Sequence, residues 1–591
     1  MAAASVLTFG DKRFFRLPGA RRIHKIPGAV SDLAIIRGPP LEDEPGLGAL
    51  TLPGYLREVT DRYVDREALV FYEAGGRICW TYSQLWERAM TVARALLSLQ
   101  CGKDTRVGVL MTNRPEWLAA VFGAALAGCV AVPLSTFSTA PELEFLLRAS
   151  AVSLLLLERR VARKDFAAML SGLEPGILAA GGLRSLRFPH LRHLALIGEA
   201  PAGSGIESWE AFCARAAHVP AGLALETAAE VRPADMGTIL FSSGSTAQPK
   251  GIVNSQRGIA IHLWRWRRMF ALGDDVRCWT PNGFFWSGNF GCALGSTLSA
   301  GGALLLQSIF DPEAALELMQ RERVTFPYAW PHQWKQLLEA RNWDSVDLSS
   351  VVYLDSAQPL AAHPSIRLRG WTDPRCSYGS TETFTISTGY PADAPRQAAE
   401  GSNGVALPGN TVKIVDPHTG RTLKHGEQGE IAVKGPTLML GYLGVPPEQS
   451  FDPEGFYRSG DAGWIDERGR LHFDGRLSSI IKTGGANVSP IEVDQMLETM
   501  PGVRIARCVG VPDDALGERV VACIVRAEGS SVSAEEVRAH ARAHLASYKV
   551  PREVLFLEGS DLELTGSSKT KPAELRALAV RKLSASGEAG G

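Results

Sequence analysis

Residues 242–251 read Ser-Ser-Gly-Ser-Thr-Ala-Gln-Pro-Lys-Gly. Small residues such as Gly244 let backbone N–H groups come close to a phosphate. The hydroxyls of Ser242, Ser243, Ser245 and Thr246 add donors, and Lys250 adds a point charge. The Gly-Lys-Ser/Thr order of a Walker loop is absent. A surface loop rich in turn formers has the same composition, so this string does not decide the matter alone. Other strings follow in order: Tyr378-Gly379-Ser380-Thr381-Glu382, Tyr457-Arg458-Ser459-Gly460-Asp461, Gly475-Arg476, Lys482-Thr483-Gly484-Gly485-Ala486-Asn487, and Thr565-Gly566-Ser567-Ser568-Lys569.

The elements that must carry these strings alternate. Apolar runs at 69–72, 106–110, 130–134 and 153–157 read as strands. Residues 83–99 place Leu85, Ala89, Val92, Leu96 and Leu99 on one helical face, and Thr81 with Gln84 has capping-box spacing. Repeated strand–helix alternation predicts an α/β architecture with mostly parallel sheets. The string at 242–251 is expected to follow a strand at 238–241 and to lead into a helix. Residues 463–474 read as a hairpin turning at Glu467-Arg468-Gly469. Strands at 504–511, 520–525 and 554–557 and a helix at 534–544 then predict a compact α+β unit. The boundary is placed at Ser478. The divisions are an irregular extension at 1–50, a large domain at 51–477, a small domain at 478–583 and a disordered tail at 584–591.

A chain of 591 residues holds several folding units. Lys plus Arg total 62 against 63 Asp plus Glu, so no global positive field draws the chain to nucleic acid. The nine cysteines include no C-x-x-C pair, which argues against a thiolate zinc site and fits free thiols in a reducing compartment. The apolar stretch 117–134 contains Pro133 and reads as a buried helix entering a strand, too short to span a bilayer. Residues 1–31 carry six Lys or Arg and one acidic residue, Asp11, as a transit peptide does, but two Pro-Gly pairs interrupt them. The expected location is the cytoplasm, with an organelle matrix as the alternative.

The ordered strings resemble the adenylate-forming superfamily of acyl-CoA synthetases, luciferases and peptide-synthetase adenylation domains, over about residues 50–577. The resemblance implies a large multi-subdomain N-terminal domain and a small mobile C-terminal domain. It also implies a reaction. A carboxylate attacks the α-phosphorus of ATP, pyrophosphate leaves, and the acyl-adenylate passes its acyl group to coenzyme A. The first step needs phosphate positioning and dispersal of negative charge.

By that resemblance the 242–250 loop holds the β- and γ-phosphates. Glu382 offers a hard oxygen to Mg²⁺, and Thr381 bonds the α-phosphate. Tyr378, with Gly379 and Ser380, faces adenine. Asp461 accepts from the ribose hydroxyls, and Arg476 also contacts ribose. Ala357 and Gln358 stand where the family has a Gly-Gly-Ala-Pro adenine turn, without its glycines. Lys569 stabilises charge on the α-phosphate, with Ser568 in place of the usual glycine. Ser478 occupies the hinge position. Lys482, Gly484 and Gly485 belong to the loop that approaches the coenzyme A tunnel.

The acid pocket is the least specified part. Trp286, Phe290, Trp330 and Trp334 suggest a large apolar site, although aromatics at this density are as often core. They favour medium-chain, long-chain or ring-bearing acids. Trp264-Arg265-Trp266-Arg267-Arg268 is expected on a half-buried amphipathic helix, with weak membrane-surface contact as a minor alternative. A ligase loading a carrier protein and a catalytically silent binding protein are the other functional readings. Nothing in the sequence speaks to oligomeric state.

Overall fold

The computed structural model describes residues 32–73, 76–178, 183–242, 249–374, 376–477, 481–488, 490–558 and 572–588. The large domain holds three main sheets. The first has eight strands, in the order Glu207–Ser208, His193–Ile197, Leu154–Glu158, Arg106–Leu110, Val130–Pro133, Met236–Ser242, Lys250–Ser255 and Gly441–Tyr442. It is parallel as far as Met236–Ser242, and the last two pairings are antiparallel. The second sheet orders Phe326–Pro327, Arg277–Thr280, Ala303–Leu306, Glu67–Glu73 and Gly76–Thr81, antiparallel only at the last pair.

The expectation of mostly parallel sheets holds for these two. It fails for the third, which is antiparallel throughout: Ile35–Arg37, Thr411–Val415, Gly429–Lys434, Tyr457–Ile465 and Leu471–Arg476. Its last two strands are the hairpin that the 463–474 string predicts. The first of them starts earlier, because alternate residues from Tyr457 onward are buried.

Helices fill the space between the sheets. Tyr82–Ser98 opens with the Thr81/Gln84 capping box, Thr81 N donating to Gln84 Oε1 at 2.9 Å. In Pro115–Leu126 every residue but Glu116 is buried, so this helix has no solvent face. Its Trp117 ring meets Phe284 and Phe290. Truncating such a side chain to Ala costs about 3–5 kcal/mol.

The small domain pairs Val503–Asp513 with Gly517–Arg526 in a long hairpin, adds Ile481–Thr483 and Ala486–Val488 at one side, and pairs Glu553–Phe556 in parallel. Its helix Ala534–His544 lies where expected. Alternate residues of the hairpin feed two cores. Cys508, Val520, Ala522 and Ile524 pack with Val493 and Leu497 of helix Pro490–Glu498. Val509, Val511, Val521 and Cys523 pack with Leu557, Leu575 and Ala579.

Three expectations need correction. Residues 32–50 are not an irregular extension. Ile35–Arg37 completes the edge of the third sheet, and Glu44 is buried against Arg265, with Nη2 2.7 Å from Oε2. Residues 584–588 are not disordered tail, since the helix Pro572–Glu588 runs through them. The basic aromatic run lies on a helix as expected, but more of it is buried than a half-buried face implies. On helix Gln256–Met269, Trp264, Arg265 and Trp266 are all buried. Trp264 Nε1 donates to Ala49 O, Trp266 Nε1 donates to Thr385 Oγ1, and Arg268 pairs with Asp393. No described helix is long and apolar enough to cross a membrane. All nine cysteines are free thiols, six of them buried.

Candidate active site

Ser242 ends one strand of the first sheet and lies directly opposite Lys250, which begins the next. The strand Lys250–Ser255 was not anticipated between the 242–251 string and the helix Gln256–Met269. Ile252 and Val253 are buried, and that burial holds the strand in the sheet. Lys250 is thereby fixed at a strand end, its Nζ 4.9 Å from the centre of the Tyr442 ring. Tyr442 in turn donates to Glu382 Oε1 at 2.8 Å, and its oxygen lies 3.1 Å from the Tyr457 hydroxyl. One tyrosine thus ties together the lysine and the carboxylate expected to face phosphates and cation. Ser243, Gly244, Ser245 and Thr246 lie outside the described residues, as do Ser478 and Lys569.

Thr381 and Glu382 sit on a single 3-10 turn, Thr381–Thr383, that ends on an unusual residue. Phe384 has φ 61° and ψ −52°, and Thr385 N donates to Thr383 O at 2.8 Å. This is a γ-turn of the strained hand, which costs about 1–3 kcal/mol for a residue with a side chain. Tertiary packing holds it. The Phe384 ring lies between Phe290 and His262. His262 is fully buried and bridges the turn, with Nε2 2.9 Å from Thr383 O and Nδ1 2.8 Å from Thr385 Oγ1. A carbonyl only accepts, so Nε2 carries the proton and the threonine hydroxyl donates to Nδ1. Burial pushes the imidazole far below the usual histidine range, and Arg265 adds to this, so the ring stays neutral.

Replacing His262 by Leu is expected to lower kcat/KM for ATP by roughly 10- to 100-fold, because a small misplacement of reacting groups has that effect. It should also remove about 1–3 kcal/mol of stability, since the Thr383 carbonyl and Thr385 hydroxyl lose their partner. Steady-state kinetics over ATP, with a denaturant titration on the same protein, checks both.

Asp461 and Arg476 face each other across the hairpin of the third sheet. Tyr378 donates its hydroxyl to Asp461 Oδ2 at 2.7 Å. Arg476 Nε stands 3.0 Å from Oδ1 as an ion pair, but that oxygen is buried and accepts no hydrogen bond. Burial raises this carboxyl above the usual range, and Arg476, the Tyr378 hydroxyl and Lys482 oppose the rise. A buried, unsatisfied carboxylate oxygen calls for a donor, and a ribose hydroxyl fits it. The Tyr378 ring packs on Phe473 at 5.7 Å between centroids, and its hydroxyl is committed to holding Asp461.

These groups meet in one cavity of about 530 Å³. Ser242, Tyr378, Gly379, Ser380, Thr381, Glu382, Asp461 and Arg476 all line it, together with Trp286, Trp330, Lys482 and Gly485. Ala357 and Gln358 do not line it. They form the approach to the 3-10 helix Pro359–Ala362, where Ala357 N donates to Asp355 Oδ1.

Comparison with known proteins follows the same outline. Residues 56–443 match the family described as AMP-binding enzyme. The chain belongs to the AMP-binding enzyme family. Residues 492–569 match that family's C-terminal domain. A feruloyl-CoA synthase of Amycolatopsis sp is 32% identical over 507 residues, covering 85% of this chain and 94% of the relative. The mitochondrial medium-chain acyl-CoA ligase ACSF2 of Homo sapiens is 28% identical over 553 residues, covering 91% and 89%. Among solved structures, the amide bond synthetase McbA from Marinactinospora thermotolerans superposes with a TM-score of 0.69 at 27% identity, covering 89% of this chain and 99% of that one.

In this AMP-binding enzyme two of the four aromatic residues expected around the acid do not reach the cavity. Phe290 is fully buried between Trp117 and Phe384. Trp334 lies in the core with Trp279 and Leu337, because the periodicity of helix Pro331–Leu338 turns positions 334 and 337 inward. Trp330 caps that helix and stays at the cavity, edge-on to Trp286 at 6.2 Å. The small domain reaches the cavity from the other side. Gly484 and Gly485 have φ of 56° and 83°, and a Cβ on Gly485 would stand 2.9 Å from the Trp330 ring. Only glycine combines that backbone with that approach. Lys482 lies over the Phe473 ring and adds a positive charge near Asp461. Tyr442, His262 and Phe473 carry no local motif, and only their proximity in the fold reveals them; Tyr457 opens one of the ordered strings, but its contact with Tyr442 is seen only in the fold.

Proposed function

We propose that this chain is an AMP-forming acid–thiol ligase. It joins a carboxylic acid to the α-phosphate of ATP, releasing pyrophosphate, and then exchanges AMP for the thiol of coenzyme A, releasing an acyl-CoA thioester. The observation that carries this reading is the buried, unsatisfied Oδ1 of Asp461 in the same cavity as Thr381 and Glu382. A ribose on Asp461 and an α-phosphate near Thr381 use both ends of that wall. Glu382 would share Mg²⁺ with the phosphates. Among the described residues no group of three or more His, Cys, Asp or Glu is placed to hold a metal ion. The cation is therefore expected to arrive with the nucleotide and keep water ligands, as Mg²⁺ commonly does. Lys250 and the 243–246 loop would take the terminal phosphates.

The acid is read as medium-chain or ring-bearing. Trp286, Tyr328 and Trp330 supply apolar wall, and a Cβ added at Gly288, also on the wall, would meet nothing within 4 Å. The feruloyl-CoA and medium-chain relatives support both kinds of acid. Gly288→Leu is expected to fill this open space. It should lower kcat/KM for a bulky acid by about tenfold or more relative to a short one, a discrimination typical of a few methylenes, while KM for ATP stays the same. Competition between paired acids, with ATP kinetics alongside, reads the effect.

Nine free thiols favour a reducing compartment. The reaction itself is tested by pyrophosphate release with and without coenzyme A over acetate, octanoate, ferulate and indoleacetate. Release with no thioester product in the presence of coenzyme A would turn the reading toward another acceptor, such as a carrier-protein thiol.

A further inference from the structure

The small domain touches the large one through a charged cluster, built on Glu142 and the buried Lys549, that the nucleotide and acid sites do not use. Glu142 is the third residue of helix Ala140–Ser150 and closes its capping box. Its Oε2 accepts from Thr139 N at 3.0 Å. Thr139 Oγ1 lies 3.2 Å from Glu142 Oε2 and also 3.2 Å from His544 O of the small domain. The other oxygen, Oε1, turns away from its own helix. It accepts from Ala546 N at 2.7 Å and from Lys549 Nζ at 3.3 Å. Lys549 is 4% exposed and also donates to Glu492 Oε1 at 2.7 Å.

We propose that Glu142 is a positioning residue for the thioester-forming step, anchoring the small domain in the orientation seen here. The proposal rests on the two-step reading above. Lys549 and Glu492 both belong to the small domain and move together when it moves. Glu142 keeps its cap to Thr139 whatever the small domain does. Within this cluster, the contacts that break when the domain turns are those from Glu142 and Thr139 to residues 544–549. Two carboxylates face one ammonium, and Thr139 N–H and Ala546 N–H donate to Glu142, so Glu142 keeps this set of donors only when the domains are docked.

The anchor adjoins the reaction site. Tyr548 beside it packs edge-on to Trp286 at 5.8 Å. Glu142, Tyr548 and Lys549 line a small pocket that shares Ser242 and Trp286 with the main cavity. The same docking sets Gly485 against Trp330 and Lys482 into the cavity wall. A change at Glu142 therefore shifts how often those groups are in place without touching them.

Glu142→Gln separates the two jobs of the side chain. Glutamine closes a capping box as glutamate does, which turns its amide N–H₂ toward Ala546 N–H and the Lys549 ammonium. Each half-reaction is measured in single turnover on the purified full chain: pyrophosphate release without coenzyme A, and thioester formation from preformed octanoyl-adenylate at saturating coenzyme A. Transfer is expected to slow by about tenfold, as the docked population falls, while adenylation holds within about twofold and the thermal midpoint is unchanged. Because coenzyme A is saturating, the loss should lie in the rate constant and not in KM. Equal loss in both half-reactions would mark Glu142 as a structural residue and overturn the proposal, and so would unchanged transfer. If the parent protein makes no acyl-adenylate from any acid, the two-step reading falls, and the anchor with it.

Discussion

Replacing Asp461 by Ala is expected to lower kcat/KM for ATP by roughly two to four orders of magnitude. Two charge-assisted hydrogen bonds to a ribose, at about 1.5–3 kcal/mol each, are removed, and about 1.4 kcal/mol corresponds to a factor of ten. The loss should lie mostly in KM for ATP, because the ribose is held alike in ground and transition states. KM for the acid should change little. Asp461→Asn keeps the shape and one acceptor and should lose far less. Tyr378→Phe is the informative neighbour. It removes the donor to Oδ2 at 2.7 Å and leaves the carboxylate in place. A modest rise in KM for ATP there, beside a large one for Asp461→Ala, would separate ribose binding from the support of Asp461. An unchanged KM for ATP in folded Asp461→Ala would end the ribose assignment.

The wall proposed for the nucleotide was readable in sequence because the chemistry asked of it is local. A phosphate or ribose contact needs given residue types at given spacings, and Ser380 to Glu382 or Ser459 to Asp461 carry them within a few residues. The wall proposed for the acid was not readable in that way. Trp286, Phe290, Trp330 and Trp334 are all large aromatics on or beside helical turns. Only the tertiary register decides that Trp330 faces the cavity and Trp334 the core. The supports of the site were hidden for a related reason. His262 holds a turn 121 positions away, and Arg265 is neutralised by Glu44 from 221 positions away. No spacing rule links such pairs. In the fold, long periodic elements were legible: the helix at 83–99 is Tyr82–Ser98, and the helix at 534–544 is Ala534–His544. The strand Lys250–Ser255 was not, because a short segment opening on Lys-Gly has weak strand preference and is held by its neighbour at Met236–Ser242.

Lys569→Ala is expected to lose acyl-adenylate formation by about two to three orders of magnitude, the scale on which removing one electrostatic stabiliser of a transition state acts. It should still convert supplied acyl-adenylate and coenzyme A to thioester within about threefold of the parent rate, since that step develops charge at a different centre. Lys569 lies outside the described residues. Leu557 and Leu575 belong to the core on one face of the small sheet, with Val509, Val511 and Val521. The helix that follows the 482–485 turn packs on the opposite face, against Cys508, Val520 and Ala522. Residues alternating along one hairpin point to opposite sides. The turn at Gly485 now stands against Trp330, so the small domain presents to the cavity the edge that carries this turn. The lysine is expected to reach the α-phosphate in a second orientation of the small domain, and rotation of a domain about a few boundary residues is ordinary hinge behaviour. The two half-reactions then depend on different orientations and lose activity separately. Each is run alone on the purified variant, with its thermal midpoint as the control for folding. Parallel loss of adenylation and transfer in a folded Lys569→Ala protein would show that one orientation serves both steps, and the expectation of a second orientation would be wrong.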